Sequence, residues 1–134
     1  MREPPIVASS REAAEHIYGR LRAHNRAFLC GAGDYRFHIE ENGTIVAGIV
    51  AGGVCDTLEI EFLFVDEAHR GKGLGKRLIA HAEEAARRGG LTRVLLNTYS
   101  FQAPEFYKKL GYTVAAKIDP CFGDFAQYFF TKRL

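Results

Sequence analysis

Residues 69–78 read HRGKGLGKRL, with three glycines at alternate positions among five basic side chains. The preceding stretch, TLEIEFLFV at 57–65, begins by alternating and ends apolar, which predicts a strand near the centre of its sheet. The following stretch, residues 74–88, carries apolar side chains on one helical face and is followed by two glycines. A glycine-rich turn between such a strand and a helix N-terminus suits an anion, because unpaired N–H groups and the helix dipole favour negative charge there.

The segments outside this centre predict an α/β fold. Ser9 stands three residues before Glu12 in a capping-box spacing, which predicts an amphipathic helix that ends near Gly31. Asn42-Gly43 lies between two alternating apolar runs and predicts a β-hairpin. Downstream we expect, in order, a buried strand, a short helix and a final pair of strands: residues 92–100, 104–111, 112–118 and 125–134.

Length and composition indicate one globular domain over residues 1–134, with 47% hydrophobic residues. The 18 Lys and Arg against 16 Asp and Glu give a formal charge of +2, which argues against a nucleic-acid partner. Because no apolar run suits a membrane span and the first residues lack a signal-peptide pattern, we expect a cytoplasmic protein with no membrane partner. The three widely spaced cysteines fit no zinc or disulfide pattern, so we expect reduced thiols and no metal site.

Two familiar phosphate-binding loops do not match the glycine-rich stretch. A P-loop requires a glycine five residues before Gly75 and a serine or threonine after the lysine, whereas the chain has Arg70 and Arg77 there. A dinucleotide fingerprint that begins at Gly71 requires a third glycine where the chain has Lys76, and it follows the first strand of its fold. Both interpretations are therefore excluded.

The hexapeptide at residues 70–75 has the form R/Q-x-x-G-x-G/A, and APEFYKKLGY at 103–112 adds a tyrosine-bearing helix after the next strand. Together these motifs resemble the GCN5-related N-acetyltransferase superfamily over residues 57–115. The resemblance implies a mixed, mostly antiparallel central sheet flanked by helices, with a splayed β–loop–α site for acetyl-CoA as co-substrate. It also implies that the pyrophosphate of acetyl-CoA is held by the loop: Arg70, Gly71, Lys72, Gly73, Leu74, Gly75 and Lys76.

Acetyl transfer from a thioester to an amine requires a group that accepts the ammonium proton. Glu59 and Glu61 lie two residues apart on a strand, which predicts that both carboxylates face the same side. Glu59 stands eleven residues before Arg70, where the resemblance places the catalytic glutamate of the histone-acetylating branch. An efficient base would need burial, because an unperturbed Glu titrates near ~4.3. Glu59, Glu61 and a relay through ordered water all stay open as routes for the proton.

The resemblance implies further contacts around the thioester. Main-chain groups of Phe64 or Val65 would bind the acetyl carbonyl and the pantetheine arm. The Tyr107 hydroxyl would contact the cofactor and donate a proton to the departing sulfur; the alternative for Tyr107 is a core aromatic beside Phe106.

Ser100 departs from the family pattern, since many relatives carry at this position an asparagine that contacts the cofactor. Its hydroxyl, or the nearby Asn97 or Gln102, can substitute in that contact. The residues expected to shape the acceptor pocket follow from the same region: Tyr99, Phe101 and 118–125.

These observations predict an acetyl-CoA-dependent N-acetyltransferase that acts on a primary amine of a small molecule or peptide by direct attack. The alternative is a non-catalytic acyl-CoA-binding or partner-binding module on the same scaffold. The presence of Glu59, Glu61 and Tyr107 favours the enzyme. The expected partner is the small-molecule amine acceptor, and a homodimer is left open.

Overall fold

The structure, a computed structural model, describes residues 2–134. They fall into two compact units, one that ends at Cys30 and one from Gly31 to Leu134. The single domain over residues 1–134 stays a prediction.

The first unit contains helix α1 (Arg11–Asn25). Its N-cap is Ser10, whose hydroxyl accepts a hydrogen bond from the N–H of Ala13 at 3.1 Å. The capping-box spacing pointed to Ser9 instead, and that prediction is wrong by one residue. Two adjacent serines both provide the hydroxyl that a helix start requires, so the sequence alone does not separate them.

Helix α1 ends at Asn25, so the predicted end near Gly31 is wrong. The carbonyl of Asn25 accepts hydrogen bonds from the N–H groups of Phe28 and Leu29, which closes a turn after the helix. No residue of α1 is buried, although its sequence has an apolar face.

The second unit holds the sheet expected from the resemblance. Its strands run in the order β1-β2-β3-β4-β6-β5, and all neighbours are antiparallel except the parallel pair β3 and β4. This confirms a mixed, mostly antiparallel sheet flanked by helices. The elements are β1 (Gly31–Glu41), β2 (Thr44–Val54), β3 (Thr57–Val65), a 3-10 turn (Glu67–His69), α2 (Leu74–Arg88), β4 (Arg93–Tyr99), α3 (Pro104–Lys109), β5 (Thr113–Ile118) and β6 (Gln127–Arg133).

The hairpin between β1 and β2 forms at the predicted Asn-Gly pair. Glu41 pairs with Thr44 across a two-residue loop, with φ of 52° at Asn42 and 78° at Gly43. Both values are positive, as a type I′ turn requires, and its twist matches that of the flanking strands. The prediction of a hairpin is confirmed.

Strand β3 lies in the middle of the sheet, as predicted, and it contains a β-bulge. Val50 of β2 pairs with Phe62, whereas the next residue, Ala51, pairs with Ile60. Glu61 is therefore an extra residue opposite β2.

The bulge changes which side chains of β3 face the core. Ile60 before it is buried, whereas Phe62 and Phe64 after it are exposed. An apolar run alone indicates burial on both faces of the sheet. The apolar end of this strand instead has one exposed face. Pairing with β4 also stops at Ile60 and Leu96, so the two parallel strands have no further paired residues beyond that point.

The core of the second unit lies between α2 and one face of the sheet. Strand β4 contributes only alternate side chains to it: Val94 and Leu96 are buried, whereas Leu95 and Asn97 are exposed. The prediction that β4 is a wholly buried strand is wrong for this reason. The residues that form the centre of the core are Ile49, Leu58, Ile60, Leu78, Ile79, Ala82, Val94, Leu96 and Phe130.

A buried polar network lies beside this core. Glu83 of α2 accepts a hydrogen bond from the Tyr112 hydroxyl at 2.7 Å and forms an ion pair with Lys132 of β6. The Lys132 ammonium also donates to the carbonyl of Leu110, just after α3, at 2.8 Å. The network therefore ties together α2, β6 and the end of the helix that carries Tyr107.

Candidate active site

The three glycines of the loop have two different structural roles. Gly71 and Gly73 have φ of 78° and 79°, in the left-handed region that favours glycine, and a Cβ at either would meet open space. Gly75 instead lies buried in the first turn of α2. A Cβ there would stand 3.3 Å from the Phe106 ring and 3.6 Å from the Val65 side chain. Two glycines therefore shape the turn, and the third lets the helix approach β3 and α3.

The N-terminus of α2 has the properties of an anion site. Gly73 is its N-cap and supplies no side-chain cap, and the first turn contains no acidic residue. The first backbone bond of the helix runs from the N–H of Arg77 to the carbonyl of Gly73, so the amides of residues 74–76 precede the helical hydrogen bonds. Exposed Lys72 and Lys76 add positive charge. These groups fit the pyrophosphate of acetyl-CoA.

Arg70 and His69 hold the loop in position. The Arg70 guanidinium donates from Nε to the carbonyl of Val65 at 3.1 Å, which fastens the loop to the end of β3. His69 lies with Nδ1 3.0 Å from an Asp66 carboxylate oxygen and Nε2 3.0 Å from one of Glu41. His69 therefore joins the loop to the end of β1.

A cavity of about 550 Å³ opens along β3 and β4 where their pairing ends. The structure brings three of the predicted site residues together here, since Glu59, Glu61 and Asn97 all line it. Both carboxylates belong to exposed residues of β3. The remaining lining residues are Ile60, Phe62, Leu95, Leu96, Tyr99, Gln102 and Phe129.

The main chain of Phe64 and Val65 lies beyond the paired part of β3 and β4. On one side these residues pair with Gly48 and Ala47 of β2. On the other side the ladder to β4 has already ended, at Ile60. On that side the Val65 carbonyl accepts from Arg70, and no strand pairs with the backbone there. An extended backbone with an edge that no strand occupies can pair with another extended chain, as the arm of acetyl-CoA requires.

Tyr107 lies in the core and does not line the cavity. Its side chain is 7% exposed, and its ring contacts Tyr112 and Phe130 at centroid distances of 5.7 and 5.8 Å. Burial raises the pKa of Tyr107 from 10.0 to about 12, so the phenol stays neutral at physiological pH. A neutral phenol is the form that donates a hydrogen bond, and packing in the core explains its burial equally well.

Asn97 and Ser100 differ in their surroundings. Asn97 lines the cavity beside the two carboxylates. Ser100 is bound to the segment before β6: its hydroxyl accepts from the N–H of Ala126 at 2.9 Å, and its own N–H donates to the Ala126 carbonyl at 2.8 Å. Ser100 therefore ties the end of β4 to the loop that precedes β6.

Sequence reasoning missed Phe129 as a lining residue. It faces Asn97 across the antiparallel pair of β4 and β6. The sequence indicated only that Phe129 belongs to the predicted final strand. The register that places Phe129 at the cavity depends on the pairing of that strand with β4. Gln102 also lines the cavity, and its amide oxygen accepts from Thr98 and from the N–H of Tyr99.

The described part of the chain has neither of two other features, a metal-binding group or a membrane-spanning helix. No group of three or more His, Cys, Asp or Glu among residues 2–134 has the arrangement of a metal site. No helix in the same residues is long and apolar enough to cross a membrane.

The sequence and the fold both match known acetyltransferases. The profile of the Acetyltransferase (GNAT) family matches residues 4–112. Blasticidin-S acetyltransferase of Streptomyces morookaense is 43% identical over 79 residues, which cover 58% of this chain and 58% of that protein. The crystal structure of an acetyltransferase from Bacillus cereus superposes with a TM-score of 0.86 at 31% identity over 98% of both chains. A Bacillus anthracis chain solved in complex with acetyl coenzyme A has a TM-score of 0.66 at 24% identity, over 75% of this chain and 62% of that one.

The chain belongs to the acetyltransferase (GNAT) family. Members of this family are N-acetyltransferases, and acetyl-CoA is their acetyl donor. The resemblance seen in the glycine loop and the tyrosine-bearing helix is thereby confirmed. The Bacillus anthracis structure contributes the fold alone, and the match to blasticidin-S acetyltransferase spans little more than half of that protein.

Proposed function

We propose that the protein acts in the cytoplasm, as one domain, to transfer the acetyl group of acetyl-CoA to a primary amine of a small molecule. The observation that carries this proposal is the cavity where β3 and β4 separate, because Glu59, Glu61 and Asn97 meet there. The same strand, β3, leads directly into the glycine loop. A site for the donor and a site for a cationic amine therefore adjoin along one strand.

The size of the cavity supports a small acceptor. Its volume of about 550 Å³ lies inside the range of roughly 300–1,000 Å³ that is typical of small-molecule sites. The name of one relative, blasticidin-S acetyltransferase, also refers to a small molecule. A peptide acceptor would need only its terminal amine to enter the same cavity.

The donor site is proposed to consist mainly of backbone groups. When bound, acetyl-CoA supplies an activated acetyl thioester. The N–H groups of residues 71–76 would hold its pyrophosphate, with Arg70, Lys72 and Lys76 adding charge. The main chain of Phe64 and Val65 would align the pantetheine arm and donate a hydrogen bond to the acetyl carbonyl.

Glu59 is proposed as the group that accepts the proton of the acceptor amine. Because its side chain is exposed, the burial that an efficient base requires would come from the bound acceptor and donor. Its carboxylate lines the cavity at the last part of β3 that still pairs with β4. Glu61, on the bulge, would then attract the cationic amine, and an ordered water can carry the proton to either carboxylate. Asn97 would orient the acceptor, while Ser100 would contact the cofactor only through the loop that it fastens.

Tyr107 is proposed to donate a hydrogen bond or a proton to the sulfur. A pKa raised to about 12 makes the phenol a weaker acid than the departing thiol, so a hydrogen bond to the sulfur is the favoured form of assistance. The Lys132 ammonium donates to the Leu110 carbonyl and so holds the end of α3, the helix that carries Tyr107.

The test is an acetylation screen of the purified protein against a panel of primary amines, followed by thiol release from acetyl-CoA. The expected result is acetyl-CoA-dependent thiol release with at least one small amine, with the product confirmed by mass spectrometry. Binding of acetyl-CoA without acetylation of any small amine or peptide would instead support the non-catalytic module.

A further inference from the structure

Four aromatic side chains form a cluster at the end of β4: Tyr99, Phe101, Phe122 and Phe125, called here the aromatic cluster. Tyr99 and Phe101 lie with their rings parallel within 2° and their centroids 5.3 Å apart. Phe122 packs edge-on against Tyr99 at 5.7 Å, and Phe125 packs edge-on against Phe101 at 4.8 Å. Two loops that are distant in sequence therefore present one continuous set of rings.

The cluster is exposed to an extent that packing does not explain. Phe101, Phe122 and Phe125 are 60%, 67% and 45% exposed. Burial of large apolar side chains stabilises a folded protein, so rings that stay exposed to water contribute little to its stability. A group of such rings on one surface marks a place where something binds.

The backbone at Phe122 adds an independent observation. Its φ is 60°, in the left-handed region that a bulky residue rarely adopts. Strained residues of this kind persist at sites of function, where the surrounding structure holds them. Here the strained residue is also the most exposed ring of the cluster.

The cluster is continuous with the cavity and its two loops are fastened together. Tyr99 lines the cavity and at the same time contacts Phe101 and Phe122. Two hydrogen bonds between Ser100 and Ala126 join the loops at their base. The rings are therefore held at the edge of the cavity before any ligand arrives, which lowers the entropy cost of binding.

We propose that the acceptor carries a flat unsaturated ring, which packs on the aromatic cluster while its amine reaches Glu59 and Glu61. This inference rests on the proposed function and adds a substrate class to it. Parallel and edge-on aromatic faces favour a planar π system over a saturated ring of similar size. The two carboxylates that line the cavity favour a cationic amine.

A second copy of the chain is the other occupant that exposed aromatic rings can attract. The continuity through Tyr99 favours the acceptor, because the rings lead into a cavity with two carboxylates that a dimer contact would not require.

The experiment compares matched pairs of amines that differ only in ring saturation: benzylamine with cyclohexylmethylamine, and phenethylamine with cyclohexylethylamine. Aromatic rings stabilise a flat ring that stacks on them more than a saturated ring. We therefore expect kcat/KM to be about 3- to 10-fold higher for the flat amine of each pair. Calorimetric titration of the same amines into the protein with coenzyme A measures their affinity without turnover. It should show the same order.

The variants are Phe122→Leu and Phe101→Leu, with Phe122→Tyr as the matched control that keeps a ring. Each leucine variant should abolish the preference for the flat ring, because kcat/KM should fall more for the flat amine of each pair than for the saturated one. Phe122→Tyr should retain the preference. Stabilisation by acetyl-CoA should be unchanged in all three.

The outcomes separate this inference from the proposed function. Acetylation without any preference between the paired amines, in kinetics and calorimetry, overturns the inference and leaves the function standing. Sedimentation that shows a dimer in the unmodified protein and a monomer in the leucine variants, with equal turnover, assigns the rings to a second copy and also overturns it. Failure of every amine to be acetylated overturns both.

Discussion

The ammonium of Lys132 lies 3.0 Å from both carboxylate oxygens of Glu83, and it is joined there by the hydroxyl of Tyr112. Glu83 is 5% exposed and the Lys132 side chain is 21% exposed, so the carboxylate is removed from water while the ammonium keeps partial access to it. Loss of one partner would leave a buried charge without its counter-charge, which is far more costly than loss of both.

Lys132→Met should lower the free energy of unfolding by about 3 kcal/mol or more, because it leaves Glu83 buried and unpaired. The double variant Glu83→Leu/Lys132→Met should lose less than the sum of the two single changes. Urea denaturation followed by circular dichroism measures all three. A loss below about 1 kcal/mol for Lys132→Met would show that Glu83 is solvated or neutral in the folded protein.

Alkaline pH should destabilise the protein through its buried tyrosines. Burial raises the pKa of Tyr107 to about 12, and burial followed by the hydrogen bond to Glu83 raises that of Tyr112 as well. Above pH 10 the unfolded chain loses these protons and the folded chain keeps them, so stability present below pH 10 is lost as pH rises towards 12.

Each such tyrosine should lower the free energy of unfolding by about 1.4 kcal/mol per pH unit in this window. Tyr107→Phe removes one of them, so its stability should fall less steeply with pH than that of the unmodified protein. Urea denaturation at several values from pH 9 to 11.5 gives both slopes. Equal slopes would mean that the Tyr107 hydroxyl is not buried in solution.

The glycine loop is tested by acetyl-CoA stabilisation. At ~100 times its dissociation constant the donor should stabilise the folded protein by ~2.7 kcal/mol, which raises the melting temperature by several degrees. Gly73→Glu places a carboxylate where the pyrophosphate is proposed to bind and should abolish this shift. Gly43→Glu is the matched control, because Gly43 has φ of 78° against 79° at Gly73 and equally open surroundings. The account of the loop is wrong if both variants keep the shift or both lose it.

Tyr107→Phe separates acid catalysis from core packing, since it keeps the ring and removes only the hydroxyl. Assistance to the departing sulfur predicts a fall in turnover of about 10²-fold or more, with acetyl-CoA stabilisation little changed. A variant that acetylates its acceptor at the normal rate would assign Tyr107 to the core alone.

The local features of the fold were readable from the sequence. The Asn42-Gly43 turn, the central strand and the glycine loop each depend on residues adjacent in the chain, and the structure has all three. The bulge at Glu61 could not be predicted from the sequence, because it is set by the register between β3 and β2. That register decides which residues beyond Ile60 face the core.

Long-range contacts account for the rest of what was missed. The pair of Glu83 and Lys132 joins residues 49 positions apart, and a glutamate in an amphipathic helix ordinarily indicates a solvated face. Tyr99, Phe101 and residues 118–125 were all expected near the acceptor, but the contacts of Phe122 and Phe125 with the other two rings depend on how two loops meet. Composition and periodicity do not indicate how these two loops pack against each other.

Glu59 carries the central claim, because it lines the cavity at the point where β3 and β4 separate. The most direct measurement is the rate of acetyl-CoA-dependent thiol release, as a function of pH, for Glu59→Gln beside the matched variant Glu61→Gln. We predict that Glu59→Gln lowers turnover by ~10²–10⁴ and removes the acidic limb of the pH–rate profile, with acetyl-CoA stabilisation intact. Glu61→Gln should chiefly raise KM for the amine. A change below about threefold for Glu59→Gln, with the acidic limb preserved, would contradict the account.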